Sequence, residues 1–440
     1  MLPRRMVFLV GAVLLIIGAS YVINHGSAGS SASPSAPVGL AGEDSSSGMG
    51  MKTTDELIAF WGARVTRDPR DFISMTFLAG SFMHKARETG DITQYQRAET
   101  TINQALAIDA DYEGAQAYLA AIHYTEHDFT GALALATRVY AAHPNVVSAL
   151  ATIGDAQLEL GNYGEAEAAY QRLNQRNPGP AVDSRLARLA WLQGHPDKAI
   201  ALMQQATAEA QDLVLTGESA AWYQFQLGEL YFQTGNVDKA ATYYSQALDL
   251  FPQYYLALAG LGKARAAQER YDEAIQYYQQ AIAVVPQPDF LAALGDLYTL
   301  TGQPAQAQQQ YDTVEFIGKL AAINKVIYNR QLALFYANHD RKLDVALDLT
   351  TQELAARKDI YSYDAQAWTL YKGGRYQDAQ AAIQQAMKLG TQDALLDYHA
   401  GMIAKSLGDV TQARLLLSRA LARNPHFDIL QAQIARNALP

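Results

Sequence analysis

Residues 222–252 read WYQFQLGELYFQTGNVDKAATYYSQALDLFP, and residues 255–286 read YLALAGLGKARAAQERYDEAIQYYQQAIAVVP. In the first stretch Leu227, Gly228 and Tyr231 are followed by Gly235, Ala240, Tyr244, Ala247 and Pro252. In the second, Leu261 and Gly262 are followed by Ala274, Tyr278, Ala281 and Pro286. The apolar spacing is helical on both sides of a short polar break, so each stretch reads as two helices and a turn. Small residues let the two helices touch, and the aromatic fills the gap beside them. The proline ends the second helix because it cannot donate the next backbone bond. The alanine that opens the second helix recurs at Ala98, Ala132, Ala166, Ala199, Ala240, Ala274, Ala307, Ala346, Ala379 and Ala413. Seven of the nine intervals are 33 or 34 residues; the other two are 41 and 39. Composition alone would not hold that register. The extra residues fall at Thr207–Gly217 and Glu315–Lys325 and stay helical in character, which predicts longer second helices there.

This pattern resembles the tetratricopeptide repeat (TPR), over roughly residues 55–440. The resemblance implies an all-α fold: a right-handed α-solenoid of about ten TPR helix-turn-helix repeats with N- and C-terminal capping helices. Thr54-Asp55-Glu56 opens the first cap, which carries Leu57, Ile58, Trp61 and Val65 and closes at Asp68-Pro69. Phe427 to Leu439 forms the last cap, with Ile429, Leu430, Ile434 and Leu439 on one side. The long intervals divide the array into blocks 51–210 (cap and repeats 1–4), 211–325 (repeats 5–7) and 326–440 (repeats 8–10 and cap).

In proteins of this type the first helices line a concave groove, with inward residues near the second, fifth, ninth and twelfth positions. The resemblance therefore implies a partner groove made by Trp222, Phe225, Glu229, Phe232, Tyr328, Phe335, Tyr361, Asp364, Trp368, Tyr371 and Tyr398. Exposed aromatics bury large areas at low entropy cost and dominate binding hot spots, which makes Trp368 the expected anchor. The same spacing also fits inter-repeat core, and the sequence leaves both open.

Hydrophobic residues make up 49% of the 440, so most of the chain can build a core. There is no cysteine, which excludes disulfides, thiolate metal sites and a cysteine nucleophile. The net charge is −10, and residues 1–50 sum to zero through Arg4, Arg5, Glu43 and Asp44. The acidic body argues against a nucleic-acid partner and would steer a basic one.

Arg4 and Arg5 precede an uncharged apolar run from Met6 to Ile23. Its length predicts a transmembrane signal anchor over residues 1–25, followed by a flexible Ser/Gly/Pro linker over 26–50. The arginines would hold the N-terminus in the cytoplasm and place the body at the outer face of the cytoplasmic membrane. Cleavage near Gly26-Ser27-Ala28 would instead leave a secreted or periplasmic protein.

One catalytic-looking motif is present, His123-Tyr124-Thr125-Glu126-His127, which matches a zinc-binding H-x-x-E-H. Its second histidine falls where other repeats carry the turn glycine, such as Gly161 and Gly235, so it should leave the helix. His399 is a lone histidine on a first helix, which favours a packing role. Gly260-Leu261-Gly262-Lys263 lacks the first glycine and the following Ser/Thr of a phosphate loop. The Lys/Asn pattern with which some TPR proteins grip a peptide carboxylate is missing at Ala151/Asp155, Phe225/Glu229, Ala259/Lys263 and Ala292/Asp296. The expectation is a non-enzymatic scaffold that binds a protein or peptide in the groove, with no catalytic residue, metal or cofactor. The alternatives are a polysaccharide-binding TPR protein of envelope assembly or export, its aromatics stacking on sugar rings, and a metal-dependent hydrolase accessory using His123 and His127.

Overall fold

The computed structural model describes residues 53–213, 215–323 and 329–439, and every regular element among them is an α-helix. In chain order these are α1 (Thr54–Arg67), α2 (Phe72–Thr89), α3 (Thr93–Ile108), α4 (Glu113–Thr125), α5 (Phe129–Ala142), α6 (Ser148–Glu159), α7 (Tyr163–Arg176) and α8 (Pro180–Leu192). There follow α9 (Pro196–Asp212), α10 (Gly217–Gln233), α11 (Val237–Leu250), α12 (Tyr255–Ala267), α13 (Tyr271–Val284), α14 (Pro288–Leu300) and α15 (Pro304–Ile323). The last are α16 (Asn329–Asn338), α17 (Leu343–Ala356), α18 (Ile360–Lys372), α19 (Tyr376–Ala386), α20 (Ala394–Ser406), α21 (Val410–Arg423) and α22 (Gln431–Ala438). The chain divides into two compact units between Val182 and Asp183.

All ten periodic alanines lie on the odd-numbered helices α3 to α21, and all are buried. The two long intervals become long helices: α9 has 17 residues and α15 has 20, against 14 in α11 and α13. The reason for the glycine–aromatic pattern is steric. A Cβ on Gly228 would stand 2.6 Å from the Tyr244 ring, one on Gly154 would stand 2.3 Å from Tyr170, and one on Gly262 would stand 2.7 Å from Tyr278. In these pairs a tyrosine of the second helix thus lies against the glycine of the first. Its hydroxyl then reaches the acidic residue that follows: Tyr170 donates to Asp155 at 2.8 Å, Tyr311 to Asp296 at 2.7 Å, and Tyr244 to Glu229. Ala274 is fully buried at the same kind of contact. Ala274→Leu should therefore destabilise by about 1–3 kcal/mol through overpacking. A thermal melt unchanged from the parent chain would show the helices are not in contact there.

In the first unit α1 is opened by a capping box. The Thr53 hydroxyl accepts from the Glu56 amide, and the Glu56 carboxylate accepts from the Thr53 amide at 2.7 Å. Trp61 is buried from α1 and stacks on Phe77 with centroids 4.7 Å apart. It leads a core with Met75, Leu78, Phe82, Tyr95 and Ile102.

In the second unit the first helices are covered almost all round. In α12 every residue from Tyr255 to Gly262 is buried, whereas α13 buries only Ala274, Tyr278 and Ala281. A helix apolar on all sides belongs inside a structure. The covering comes from far along the chain. Trp191 Nε1 donates to the Tyr361 hydroxyl at 3.0 Å, Gln392 Nε2 to the Gly194 carbonyl at 3.0 Å, and Asn424 Nδ2 to the Phe232 carbonyl at 2.9 Å. Thr391 also donates to the Leu192 carbonyl. The turns after α8 and α10 thus meet the loops before α20 and after α21.

Candidate functional site

The turn inside each helix pair needs one residue in the left-handed region, and Gly235 supplies it at φ 79°. His127 does the same at φ 63°, two residues beyond the end of α4. The two histidines of the H-x-x-E-H match therefore do not share a helix face. His123 Nδ1 donates to Asp128 at 2.9 Å instead. Among the described residues no group of three or more His, Cys, Asp or Glu is arranged to hold a metal ion.

The aromatic groove takes a different form from the one expected. Trp222, Phe225, Phe232, Phe335 and Tyr361 are buried, Trp368 is 1% exposed and Tyr398 is 0% exposed. Tyr371 is half-buried and stacks on Trp368 with centroids 4.8 Å apart. Trp368 also stacks on His399 at 4.1 Å and donates to Asn338 Oδ1 at 2.7 Å. Apart from the half-buried Tyr371, the described aromatic side chains expected to face a partner are thus buried, and Trp368 and Tyr398 share a core cluster with Phe427 and the alanines of α22. Tyr328 lies outside the described residues. Glu229 is also internal: it accepts from Tyr244 and from Lys263 Nζ at 2.7 Å. Asp364 is buried and accepts from His399 Nδ1 at 2.8 Å.

What the second unit does form is a cavity of about 240 Å³. Its walls come from α12 to α14, α16, α18 and the segment 425–436. Phe335, Tyr361 and Asp364 of the expected groove line it, together with Gln331 and Asn338. The segment around Asp428 was not legible as part of the site, because it lies far from the other walls in sequence. Five carboxylates line the cavity, Glu269, Asp289, Asp296, Asp364 and Asp428, against Lys263, Arg330 and Arg436 and the histidines His339 and His426. Two of those bases are engaged: Lys263 with Glu229 at 2.7 Å and Arg330 with Asp359 at 3.1 Å.

The electrostatics follow from this imbalance. His339 Nε2 donates to Asp296 Oδ1 at 2.7 Å and Nδ1 donates to the Phe335 carbonyl at 2.7 Å. Both nitrogens face acceptors, so the geometry selects imidazolium. Burial alone would lower the His339 pKa, but the hydrogen bond and charge of Asp296 raise it above the ordinary value. Asp428 accepts from the Leu430 and Gln431 amides at 2.9 and 2.7 Å. Burial, with Asp296 nearby, nevertheless pushes its carboxyl up to about 6.

The fold defines a class: an all-helical repeat protein in which a glycine–tyrosine contact recurs between paired helices. Sequence signatures described as tetratricopeptide repeat match residues 123–189, 180–253, 225–290, 259–316 and 365–428. Together they cover more than half of the chain, which belongs to the tetratricopeptide-repeat family. It is 27% identical over 218 residues, 48% of this chain, to "Protein O-mannosyl-transferase TMTC1" of Homo sapiens. It is 27% identical over 225 residues, 49% of this chain, to "Cellulose synthase operon protein C" of Pseudomonas fluorescens (strain SBW25). The matches span only 24% and 16% of those two proteins. A solved structure, "Crystal structure of APC/C hetero-tetramer Cut9-Hcn1", aligns over 88% of this chain and 94% of its own at 13% identity, with a TM-score of 0.33.

The expected placement as a single-pass protein of the cytoplasmic membrane is corrected. Among the described residues no helix is long and apolar enough to cross a membrane. The run from Met6 to Ile23 on which that placement rested lies outside them, as does the linker 26–50.

Proposed function

We propose that this chain is a non-enzymatic protein-interaction scaffold that receives a basic side chain of a protein or peptide partner in the cavity of its second unit. We take all ten helix pairs as repeats, capped by α1 and α22, with phase changes at α9 and α15 dividing them into the blocks 51–210, 211–325 and 326–440. The carrying observation is the charge of the cavity wall. Its five carboxylates face Lys263, Arg330, Arg436 and the His339 imidazolium; Asp296 is tied to His339 and Asp364 to His399, while Lys263 and Arg330 are tied to Glu229 and Asp359, so the wall keeps an excess of acidic groups. A lysine or arginine of a partner would find hydrogen-bond acceptors and a favourable potential there, and an acidic chain would be repelled. The net charge of −10 adds steering of the same sign. Ala292 lies half-buried on the cavity wall, so a long side chain can be added without disturbing a packed contact.

Binding of the full chain to a panel of lysine-rich, neutral and glutamate-rich peptides tests this. The lysine-rich peptides should bind and weaken as salt rises. Ala292→Arg should abolish that binding while leaving the melting profile intact. Equal binding of all three peptide classes, or unchanged binding by Ala292→Arg, would remove the cavity as the site.

A second reading, polysaccharide binding, draws on the likeness to the cellulose synthase operon protein. The burial of the aromatics counts against it, because stacking on sugar rings needs exposed aromatic faces.

A further inference from the structure

After α21 the chain turns across the face made by the first helices of the second unit. Asn424 holds the Phe232 carbonyl, the Phe427 ring lies 5.2 Å from that of Tyr398, and the Tyr398 hydroxyl donates to Gln431 at 2.7 Å. Lys405 Nζ donates to the Ala438 carbonyl at 2.7 Å. Pro425 through Ile429, with Ala432, Gln433 and Arg436, form one wall of the cavity. The apolar grip of this segment is thin. The buried side chains of α22 in the core cluster are Ala432, Ala435 and Ala438, and Phe427 is the one large apolar group beside them. Peeling this segment off uncovers these groups and parts of Trp368, Tyr398 and Leu395 in the same cluster, but leaves the contacts within each helix pair beneath it intact, so it exposes less than unfolding such a pair would.

We infer that residues 424–438 form a detachable strap over the cavity, opening by local unfolding while the helix pairs beneath stay folded, and that protonation of Asp428 favours the closed state. Asp428 lines the same cavity as Asp296 of α14 and feels its charge, and Asp296 is already shared between His339, just after α16, and Tyr311 of α15. Tyr278 of α13 and Tyr398 of α20 lie within its field, and Asp289 adds a further negative charge on Tyr278. Of the remaining charges of the cavity wall, Lys263 is turned to Glu229, Arg330 to Asp359, Asp364 to His399 and Arg436 to the Pro425 carbonyl, while His426, two residues before Asp428, is held below its ordinary pKa by burial and by the charge of Arg436. Glu269 stands exposed at the turn after α12. One imidazolium thus faces two carboxyls, and the arrangement is neutral only when one of them carries a proton.

The direction follows. In the closed strap burial and the charge of Asp296 push the Asp428 carboxyl up to about 6; released into water it returns towards its ordinary value of 3.8. Closure takes up a proton, so the closed state is favoured below the free pKa and loses that advantage as pH rises through the closed one. His339 stays beside Asp296 in either state and shifts the balance less. An open strap uncovers the cavity; that consequence rests on the scaffold reading, but strap opening is measured without any partner, so the two can fail separately.

The test is hydrogen exchange on the full chain at about pH 5 and about pH 7.5, corrected for intrinsic rates. Relative to the amides of α20, those of 424–438 should open about tenfold more at the higher pH. Asp428→Asn keeps an acceptor for the Leu430 and Gln431 amides but cannot ionise, so opening should no longer rise with pH; the remaining titration of His426, whose pKa is lowered in the closed strap, acts in the opposite direction. The inference is overturned if strap amides open only with those of α20 at both pH values. It is equally overturned if Asp428→Asn retains the pH response of the parent chain.

Discussion

Trp368→Ala should destabilise the second unit by about 3–5 kcal/mol, the range for removing a large aromatic from a packed core. The side chain is 1% exposed, and its ring is held between His399 and Tyr371. Truncation would leave a cavity between α16, α18 and α20 and orphan Asn338 Oδ1, which accepts the indole N–H at 2.7 Å. The buried Asp364–His399 pair would lose its flat apolar cover as well. Urea unfolding followed by circular dichroism measures the change. A loss below about 1 kcal/mol would mean that the indole is solvated rather than packed. An exposed groove anchor predicts the opposite outcome, full stability with lost binding, so this variant separates the two roles of Trp368 directly.

Gly194→Ala should act at the closure between the two ends of the second unit. Gly194 has φ 76°, and a Cβ there would stand 2.3 Å from the Gly390 carbonyl oxygen. Left-handed backbone at a non-glycine residue costs about 1–3 kcal/mol. The backbone clash adds to it, because neither strand of the contact can yield as a flexible side chain would. Gly408→Ala isolates the first effect: its φ is 83°, and its Cβ would meet nothing within 4 Å. The Gly194 variant should therefore melt well below the Gly408 variant. It should also speed hydrogen exchange at Thr391 and Gln392, whose side chains bind the Leu192 and Gly194 carbonyls. Equal melting temperatures for the two variants would show that the ends of the unit do not press on each other.

Much of the local structure was legible because it repeats. A buried small residue at each helix contact, an aromatic over a glycine and a left-handed turn are short-range requirements. Each recurs with the period of the helix pair, so Ala240, Tyr244 and Gly235 announce one another within a few turns. The turn constraint explains even the exceptions: His127, Glu269 and Asp340 stand at φ 63°, 61° and 51° where other pairs have glycine. The same regularity made the candidate site misleading. Phe225, Trp368 and Tyr398 occupy positions that face inward whether the inner surface is open to solvent or filled by the chain itself.

The sequence by itself determined the helix pairs, the ten alanine contacts and the long helices α9 and α15, since all depend on neighbours within one or two helices. Only the tertiary structure decided that the aromatics are buried, that Glu229 is tied to Tyr244 and Lys263, and that Asp428 lines one cavity with Asp296 and His339. The contacts responsible, Trp191 with Tyr361 and Asn424 with Phe232, span 170 and 192 residues. Whether such contacts form depends on small rotations accumulated from one helix pair to the next. No local spacing encodes that sum, and a single hydroxyl or amide at either end carries no periodic signal of its partner.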